Sequence, residues 1–287
     1  MERLQTAIAK ARAARGEALG DDGGEPGRQS GGTAAGEGAR AGGRGGDRSA
    51  ASSWSEVPSF EPDPKRLERG RIVAASGGRA ATEFDKLRTR IVQQMQANGW
   101  RRIAITSPGP GCGKSTVALN LAYGLSRQDA SRVMLCETDL RRPSLARMLG
   151  VPPGRDFARV LEGRGRFADN AVRLRDNLMA GLAERARGDT AELLHASGAR
   201  DALDTVQAAY APTVMLLDTP PVLVSDDTIG LLDYVDCALI VAAAGTTSIA
   251  EIDACEREAS ARTAVIGVVL NKCRHPDGGG AYDYYYE

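Results

Sequence analysis

One segment constrains the fold of this chain more than any other. Pro108-Gly109-Pro110-Gly111-Cys112-Gly113-Lys114-Ser115-Thr116 follows the apolar run Ile103-Ala104-Ile105 and precedes the helix-forming run 117–122. Glycines allow the backbone to approach an anion closely, and the first turn of a helix presents unpaired N–H groups to it. This order of strand, glycine-rich turn and helix predicts a phosphate-binding loop. In such a loop Lys114 neutralises phosphate oxygens and the Ser115 hydroxyl binds magnesium.

The overall composition narrows the classes of partner and compartment. The formal net charge is zero, so nothing in the whole-chain charge favours nucleic acid. No apolar run approaches the roughly 20 residues of a spanning helix, and the N-terminus lacks the apolar region of a signal peptide. Five cysteines without a Cys-x-x-Cys pair fit a reducing compartment rather than a disulfide or zinc framework. We therefore expect a cytoplasmic protein with no nucleic-acid partner and no membrane span.

Composition also divides the chain. The first residues carry a narrow apolar stripe at Leu4, Ile8 and Ala11, which fits either a marginal helix at a free terminus or a helix that docks on a partner. The next stretch is rich in Gly, Arg, Ala and Ser, and it has too few large apolar groups to offset the entropy of ordering. The predicted organisation is a short helix at 1–19, a disordered linker at 20–53, an extended arm at 54–71, a P-loop domain at 72–276 and a flexible tail at 277–287.

Apolar strand patterns alternate with helical patterns over most of the chain. The strand candidates are short and almost continuously apolar, which indicates strands covered on both faces. Alternation of strands with helices predicts right-handed crossovers between parallel strands. The expected fold is α/β, with a mostly parallel, doubly wound sheet of the P-loop NTPase type, and with nucleotide beyond the carboxyl ends of its strands. The strand candidates are 103–106, 133–136, 178–182, 214–217, 238–242 and 265–270.

Acidic residues follow two of these strand candidates. Glu137 and Asp139 come after 133–136, and Asp218 comes after 214–217. An acid at the tip of a buried strand beside a phosphate-binding loop can hold magnesium, directly or through water, or accept a proton from an attacking hydroxyl. For each acid taken alone, the alternative is a helix cap or a turn. Their joint occurrence with the loop favours the magnesium and proton-transfer roles.

These segments resemble the Walker A, Walker A′ and Walker B motifs of the bacterial tyrosine kinases, the cytoplasmic autokinases of capsule and exopolysaccharide systems. The second motif of that family reads Asp-x-Asp-x-Arg, and this chain has Glu137-x-Asp139-x-Arg141. The third reads Asp-x-x-Pro, and this chain has Asp218 to Pro221. The segments 190–194 and 267–271 also resemble the family, as does the tyrosine-rich end of the chain, 281–287.

The resemblance implies an ATP-dependent protein-tyrosine autokinase that regulates the polymerisation and export of exopolysaccharide or capsule. It implies ATP and Mg²⁺ as cofactors. The implied partners are further copies of the chain in a ring-like homo-oligomer and the cytosolic end of a membrane polysaccharide chain-length regulator, which recruits the kinase to the inner face of the membrane. The residues implied for catalysis are Lys114, Glu137, Asp139 and Asp218. Those implied for nucleotide binding are Gly109, Gly111, Cys112, Gly113, Lys114, Ser115, Thr116 and Asn271. Those implied for the metal are Ser115, Asp139 and Asp218, and the implied phosphorylation sites are Tyr282, Tyr284, Tyr285 and Tyr286.

Two departures from the family pattern carry consequences. Glu137 stands where the family has aspartate, and its extra methylene moves the carboxylate forward, so Glu137→Asp is predicted to raise the rate. The helix before the first core strand carries charges in a shifted register relative to the family's ring-assembly motif; a charged amphipathic helix without an assembly role is the alternative. These charges are Glu83, Lys86, Arg88 and Arg90.

Two other functions fit the same loop. A partition or division-site positioning ATPase shares this fold and dimerises on ATP, but it commonly has a second lysine early in the loop, and no lysine precedes Lys114 there. A nucleotide-binding assembly module without kinase activity is the second, since Glu137 departs from the kinase motif. Formation of phosphotyrosine on incubation with ATP and magnesium separates the three functions.

Overall fold

Seven strands form one sheet in the computed structural model, which describes residues 53–188 and 190–273. Their order across the sheet is β3-β4-β2-β5-β1-β6-β7, and every neighbouring pair is parallel except β3 with β4. The strands are β1 (Arg102–Thr106), β2 (Val133–Glu137), β3 (Ala171–Arg175), β4 (Leu178–Gly181), β5 (Val214–Asp218), β6 (Cys237–Ala243) and β7 (Ala264–Asn271). The predicted helix at 1–19, nearly all of the predicted linker at 20–53 and the predicted tail at 277–287 lie outside the described residues.

Helices cover both faces of this sheet. They are α1 (Pro64–Arg69), α2 (Thr82–Asn98), α3 (Lys114–Leu125), α4 (Leu145–Leu149), α5 (Phe157–Leu161), α6 (Thr190–His195), α7 (Ser197–Tyr210), α8 (Asp226–Leu232) and α9 (Ile249–Ser260). Apolar residues of α2, α3 and α4 form one core with Ile103 and Ile105 of β1. Those of α5, α7, α8 and α9 form the other core with Ala104. Alternate side chains of a strand therefore enter different cores, one on each face of the sheet. The predicted doubly wound α/β fold of the P-loop NTPase type is confirmed.

The sequence analysis missed β3, which lies at the edge of the sheet and runs antiparallel to β4. Val172 and Leu174 of this strand belong to one apolar core, and arginines alternate with them. The two-residue connection Asp176-Asn177 then leads into β4. Alternation followed by a short polar turn is the signal of a hairpin, whereas continuously apolar runs indicate central parallel strands.

The segment 54–71, predicted as an extended arm, is partly helical and packs on the domain. Trp54 is buried, and its indole N–H donates to the carbonyl oxygen of Tyr210 (2.7 Å). α1 begins at Pro64 because proline fits the first position of a helix, and the Asp63 carboxylate caps it by accepting a hydrogen bond from a backbone amide of the first turn (2.9 Å). Proline here starts a helix instead of extending the chain, and the apolar core begins earlier than the predicted domain boundary.

Candidate functional site

The loop 107–113 connects the carboxyl end of β1 to α3. Gly111 and Gly113 have positive φ angles of 77° and 94°, a backbone conformation that favours glycine. A Cβ at Gly113 would collide with the amide of Asn271, whose Nδ2 donates to the carbonyl oxygen of Cys112 (2.9 Å). Asn271, the last residue of β7, therefore lies against the loop, and its contact with nucleotide stays a prediction.

Two side chains at the start of α3 face the segment that follows β2. Lys114 is buried, and its Nζ lies 3.9 Å from Oδ2 of Asp139. The Ser115 hydroxyl lies 3.0 Å from the hydroxyl of Ser144, which precedes α4. The structure thus brings the predicted phosphate and magnesium ligands of the loop next to the predicted acids of the second motif.

Asp218 ends β5 and is completely buried. In the sheet register it lies beside Glu137 of β2. In the part of the chain that the structure describes, neither of its carboxylate oxygens accepts a hydrogen bond of ordinary geometry, although the Ser115 hydroxyl is close enough to interact with the carboxylate. Burial raises the pKa of Asp218 to about 7, although the nearby Ser115 hydroxyl and Lys114 ammonium act to lower it. A buried carboxylate without a partner indicates a position that a cation would satisfy.

These residues fit a magnesium ion that is shared with phosphate oxygens. Mg²⁺ usually keeps several waters and takes only one or two protein carboxylates. Over residues 53–188 and 190–273, no group of three or more His, Cys, Asp or Glu side chains is arranged to hold a metal by itself. The predicted metal residues Ser115, Asp139 and Asp218 offer a hydroxyl and two carboxylates, and this donor set suits a Mg²⁺ ion whose other ligands are phosphate and water.

Asp139 lies in the loop after β2 and keeps limited solvent access, with 12% of its side chain exposed. Its Oδ1 accepts a hydrogen bond from the backbone amide of Arg142 (3.1 Å). Burial raises the pKa of Asp139, and the Lys114 ammonium opposes that shift. Asp139 is thus an acid at the rim of the site with a cation beside it.

Glu137 differs from the other predicted acids because both of its carboxylate oxygens are engaged. One oxygen accepts hydrogen bonds from the backbone amides of Ser144 and Leu145, and the other accepts one from the amide of Ala183 (2.9 Å). Burial raises the pKa of Glu137 to about 8 against the lowering effect of these hydrogen bonds. The Ser144 and Leu145 amides open α4, which has no other side-chain cap. This carboxylate holds the backbone together, which does not fit the proton-accepting role that the sequence analysis predicted for it.

The charged residues compared with the family's ring-assembly motif lie on α2. Asp85 forms ion pairs with Arg88 (3.2 Å) and with Arg127, just beyond α3 (3.2 Å). Lys86 pairs with Glu83 at the exposed start of the same helix (2.7 Å). Most of these charges are therefore paired within one chain.

Asp227, near the start of α8, is a residue that the sequence analysis did not single out. It is completely buried and bound to Arg141 of the second motif. A serine followed by two aspartates is the ordinary pattern of a helix start, and the Ser225 side chain does cap α8. The local pattern therefore accounts for Asp227 as a helix-start residue and gives no signal of its distant partner.

The four tail tyrosines that the resemblance implies as phosphorylation sites, Tyr282, Tyr284, Tyr285 and Tyr286, lie outside the described residues. Across the described ranges 53–188 and 190–273, the helices are all too short or too polar to cross a membrane.

Comparison with known proteins supports the resemblance drawn from the motifs. A protein-family model named ParA, described as an NUBPL iron-transfer P-loop NTPase, matches residues 100–162. A tyrosine-protein kinase of Acinetobacter johnsonii, ptk, is 27% identical over 70% of this chain and 27% of its own length. The tyrosine-protein kinase CpsD of Streptococcus pneumoniae is 25% identical over 75% of this chain and 91% of its own length.

A solved structure shares the fold. The kinase domain of the Escherichia coli tyrosine kinase ETK superposes with a TM-score of 0.61, at 22% identity, over 70% of this chain and 78% of that domain. This chain spans about a quarter of the length of the first curated relatives that it matches. The resemblance to the bacterial tyrosine kinases is therefore confirmed, together with the P-loop NTPase-like fold.

Proposed function

We propose that this chain is an ATP-dependent protein-tyrosine kinase that phosphorylates the tyrosine tail of another copy of itself. The observation that carries the proposal is the group formed by Lys114, Ser115, Asp139 and the unpartnered Asp218 at the carboxyl edge of the sheet. Similarity to proteins named tyrosine-protein kinases favours phosphotransfer over the other reactions of P-loop proteins.

The loop and the start of α3 bind and orient the phosphates. Lys114 and the loop amides hold the phosphate oxygens and offset the negative charge of the transferred phosphoryl group. Ser115, Asp139 and Asp218 would hold Mg²⁺, which would supply the further positive charge that phosphoryl transfer requires. Asn271 lies against the loop, and we assign it the contact with adenine that the resemblance implies.

We assign proton acceptance to Asp139. It lies at the rim of the site with limited solvent access, beside Lys114. Because burial raises the pKa of Asp139, its carboxylate is a better base toward a tyrosine hydroxyl than an exposed aspartate. Glu137 has a structural role in this scheme, since backbone amides occupy both of its oxygens.

The proposed setting of the reaction follows from the resemblance. The chain acts in the cytoplasm, in the polymerisation and export of exopolysaccharide or capsule. The cytosolic end of a membrane chain-length regulator recruits it to the inner face of the membrane, and further copies of the chain assemble with it in a ring-like homo-oligomer. The P-loop domain, predicted at 72–276 and with core residues before that boundary, carries the site, and the tail at 277–287 is the substrate.

Lys114→Met tests the phosphate-binding role of the loop. Loss of one transition-state donor typically costs about 10²–10³ in rate, so we expect phosphotyrosine formation with ATP and Mg²⁺ to fall at least about 100-fold. Immunodetection of phosphotyrosine measures it. The matched control is Lys65→Met, which removes an exposed lysine of α1 and should keep the parent's activity. A Lys114→Met protein with activity near that of the parent would show that the loop does not serve phosphotransfer.

Replacing all four tail tyrosines with phenylalanine tests the substrate assignment. Phosphate incorporation should fall to a small remainder while ATP binding stays unchanged, because the phosphate loop is intact. Mixing this variant with Lys114→Met protein then tests transfer between copies. The variant supplies an intact site and the Lys114→Met chain supplies an intact tail, so phosphate should appear on the Lys114→Met chain. Mass spectrometry identifies the modified chain; incorporation that survives in the tail variant alone would place the substrate tyrosines elsewhere.

A partition-type ATPase is the second candidate, and the ParA family model over residues 100–162 favours it. Proteins of that type dimerise on ATP, and phosphotyrosine is not their product. ATP-dependent dimerisation of this chain without phosphotyrosine would select this candidate. Partition-type ATPases commonly have a second lysine early in the loop. No lysine precedes Lys114 in the loop of this chain, and this difference favours the kinase.

A further inference from the structure

An ion pair near the site, between the buried Asp227 and the partly exposed Arg141, has no part in the mechanism described above. Asp227, the second residue of α8, is completely buried, and the guanidinium of Arg141 donates two hydrogen bonds to it, from Nε to Oδ2 (2.7 Å) and from Nη2 to Oδ1 (3.0 Å). The hydroxyl of Thr190, the first residue of α6, also donates to Oδ2 (2.7 Å). Both carboxylate oxygens of Asp227 are therefore engaged by donors.

This network joins three segments that meet at the carboxyl edge of the sheet. Arg141 belongs to the loop after β2, which also carries Asp139. Thr190 opens the helix that follows β4, and Asp227 belongs to the helix that follows β5. One buried carboxylate thus ties the loop of Asp139 to the two neighbouring connections.

The start of α8 is in turn anchored to the strand that ends at Asp218. The carbonyl oxygen of Pro220, in the loop after β5, accepts a hydrogen bond from the Thr228 hydroxyl of α8 (2.7 Å). It also accepts one from the Thr106 hydroxyl at the end of β1 (2.8 Å). Because α8 is held in place by β1 and by the loop after β5, a bond from Arg141 to Asp227 positions the Asp139 loop relative to Asp218.

The chemistry of the pair favours orientation over stability. An ion pair whose cation is partly exposed adds little stability by itself, whereas a two-pronged guanidinium–carboxylate pair fixes the relative orientation of its segments. Burial alone would raise the pKa of Asp227, but the hydrogen bonds from Arg141, Thr190 and Ser225 outweigh burial and lower that pKa. The carboxylate therefore stays ionised at neutral pH, and the pair persists there.

We infer that Arg141 and Asp227 are positioning residues that hold the loop of Asp139 in place relative to Lys114 and Asp218. The inference rests on the proposed function for its kinetic consequence. Asp139 precedes Arg141 by two residues, so release of the guanidinium would free the loop next to the proton-accepting carboxylate. A displacement of about 1 Å at a reacting group can cost about 100-fold in rate.

The kinetic test compares Arg141→Gln, Asp227→Asn and the double variant with the parent. We expect each single variant to lower kcat about 10- to 100-fold, with a much smaller change in KM for ATP because the phosphate loop is untouched. The losses should not add, and the double variant should be about as slow as either single one, because both changes remove the same interaction. The matched control is Arg262→Gln, which breaks the exposed ion pair of Arg262 with Asp233 at the opposite end of α8 (3.0 Å) and should keep the parent's kcat.

A binding experiment tests the position of the Asp139 loop without depending on kinase activity. Calorimetry gives the Kd of ADP with and without Mg²⁺, and the ratio of the two values measures how well the site accommodates the metal. Asp139 is one of the three residues that the resemblance implies for the metal, and loss of residues that support metal ligands typically costs 10- to 100-fold in metal affinity. We call the Kd without Mg²⁺ divided by the Kd with Mg²⁺ the magnesium effect. We expect this magnesium effect to fall about tenfold in the Arg141 and Asp227 variants, with the magnesium-free Kd unchanged.

The outcomes separate the inference from the proposed function. If the parent forms no phosphotyrosine, the proposed function fails, and the ADP measurement still decides the inference. An unchanged magnesium effect in both single variants overturns the inference, and so do losses of kcat that add in the double variant. If Asp227→Asn shows no cooperative thermal unfolding, Thr190→Val decides instead. It removes one donor to Asp227, and a magnesium effect equal to that of the parent would then overturn the inference.

Discussion

Asp218→Asn is expected to make the nucleotide-free protein more stable while it removes phosphotransfer. The Asp218 carboxylate is completely buried and has no hydrogen-bond partner within the described part of the chain, so its ionised form destabilises the fold. A folded pKa of about 7 against the ordinary value of 3.8 corresponds to at most about 4 kcal/mol of stability near pH 8. Phosphotyrosine formation should fall about 100-fold or more, because the proposed magnesium ligand is lost.

The sign of the pH dependence follows from the raised pKa of Asp218. A carboxyl group that holds its proton more tightly in the folded state contributes stability that is fully present below 3.8 and is lost as the pH rises through about 7. Urea unfolding at a series of pH values should therefore show that the free energy of unfolding of Asp218→Asn rises relative to that of the parent over this range. A variant no more stable than the parent near pH 8 would contradict the assignment of Asp218 as a buried carboxylate without a partner.

Asp236→Asn is the matched control for this prediction. Oδ2 of Asp236 accepts hydrogen bonds from the backbone amides of Arg101 and Arg102 (2.7 and 2.8 Å). Because these hydrogen bonds to a charged acceptor contribute about 1.5–3 kcal/mol each, removal of the charge should lower the free energy of unfolding. The two aspartate-to-asparagine changes are thus expected to act in opposite directions.

Below pH 4.5, where the raised pKa of Glu137 costs the folded state no stability, Glu137→Ala is expected to lower the free energy of unfolding by about 3 kcal/mol or more. The buried amides of Leu145 and Ala183 and the partly buried amide of Ser144 lose their acceptor, and each unsatisfied buried donor costs about 1–3 kcal/mol. That loss is a large part of the roughly 5–15 kcal/mol that stabilises a typical domain. Urea unfolding measures it, and a loss below about 1 kcal/mol would show that the carboxylate does not hold these segments together.

Glu137→Asp separates the structural role of this residue from a chemical one. The sequence analysis predicts a faster enzyme, because aspartate is the family's residue at this position. The geometry predicts the opposite, since a side chain shorter by one methylene cannot reach the start of α4 and Ala183 at once. We expect both stability and rate to fall, with Glu137→Gln less affected because it keeps the length and one acceptor oxygen. A stable and faster Glu137→Asp protein would restore the chemical role.

The sequence by itself determined the phosphate-binding loop, the layers of the fold and which acids lie near one another. The loop depends on a contiguous pattern, with glycines where the backbone turns and Lys114 and Ser115 at the helix start. The buried strands show as continuously apolar runs because both faces are covered. Asp139 and Asp218 could be placed together because the carboxyl ends of parallel strands meet at one edge of the sheet. Their roles in the reaction remain predictions.

Only the tertiary structure decided what several of these side chains contact. Glu137 binds the amide of Ala183, 46 residues away, and so becomes a backbone acceptor rather than a free acid. Arg141 binds Asp227, 86 residues away. The sequence around Asp227 reads as an ordinary helix start and does not indicate this partner. Trp54 donates to the carbonyl of Tyr210, 156 residues away, and draws the predicted arm into the core. Local patterns report propensity and periodicity, whereas the partner of a buried polar group depends on which distant segments the packed sheet brings together.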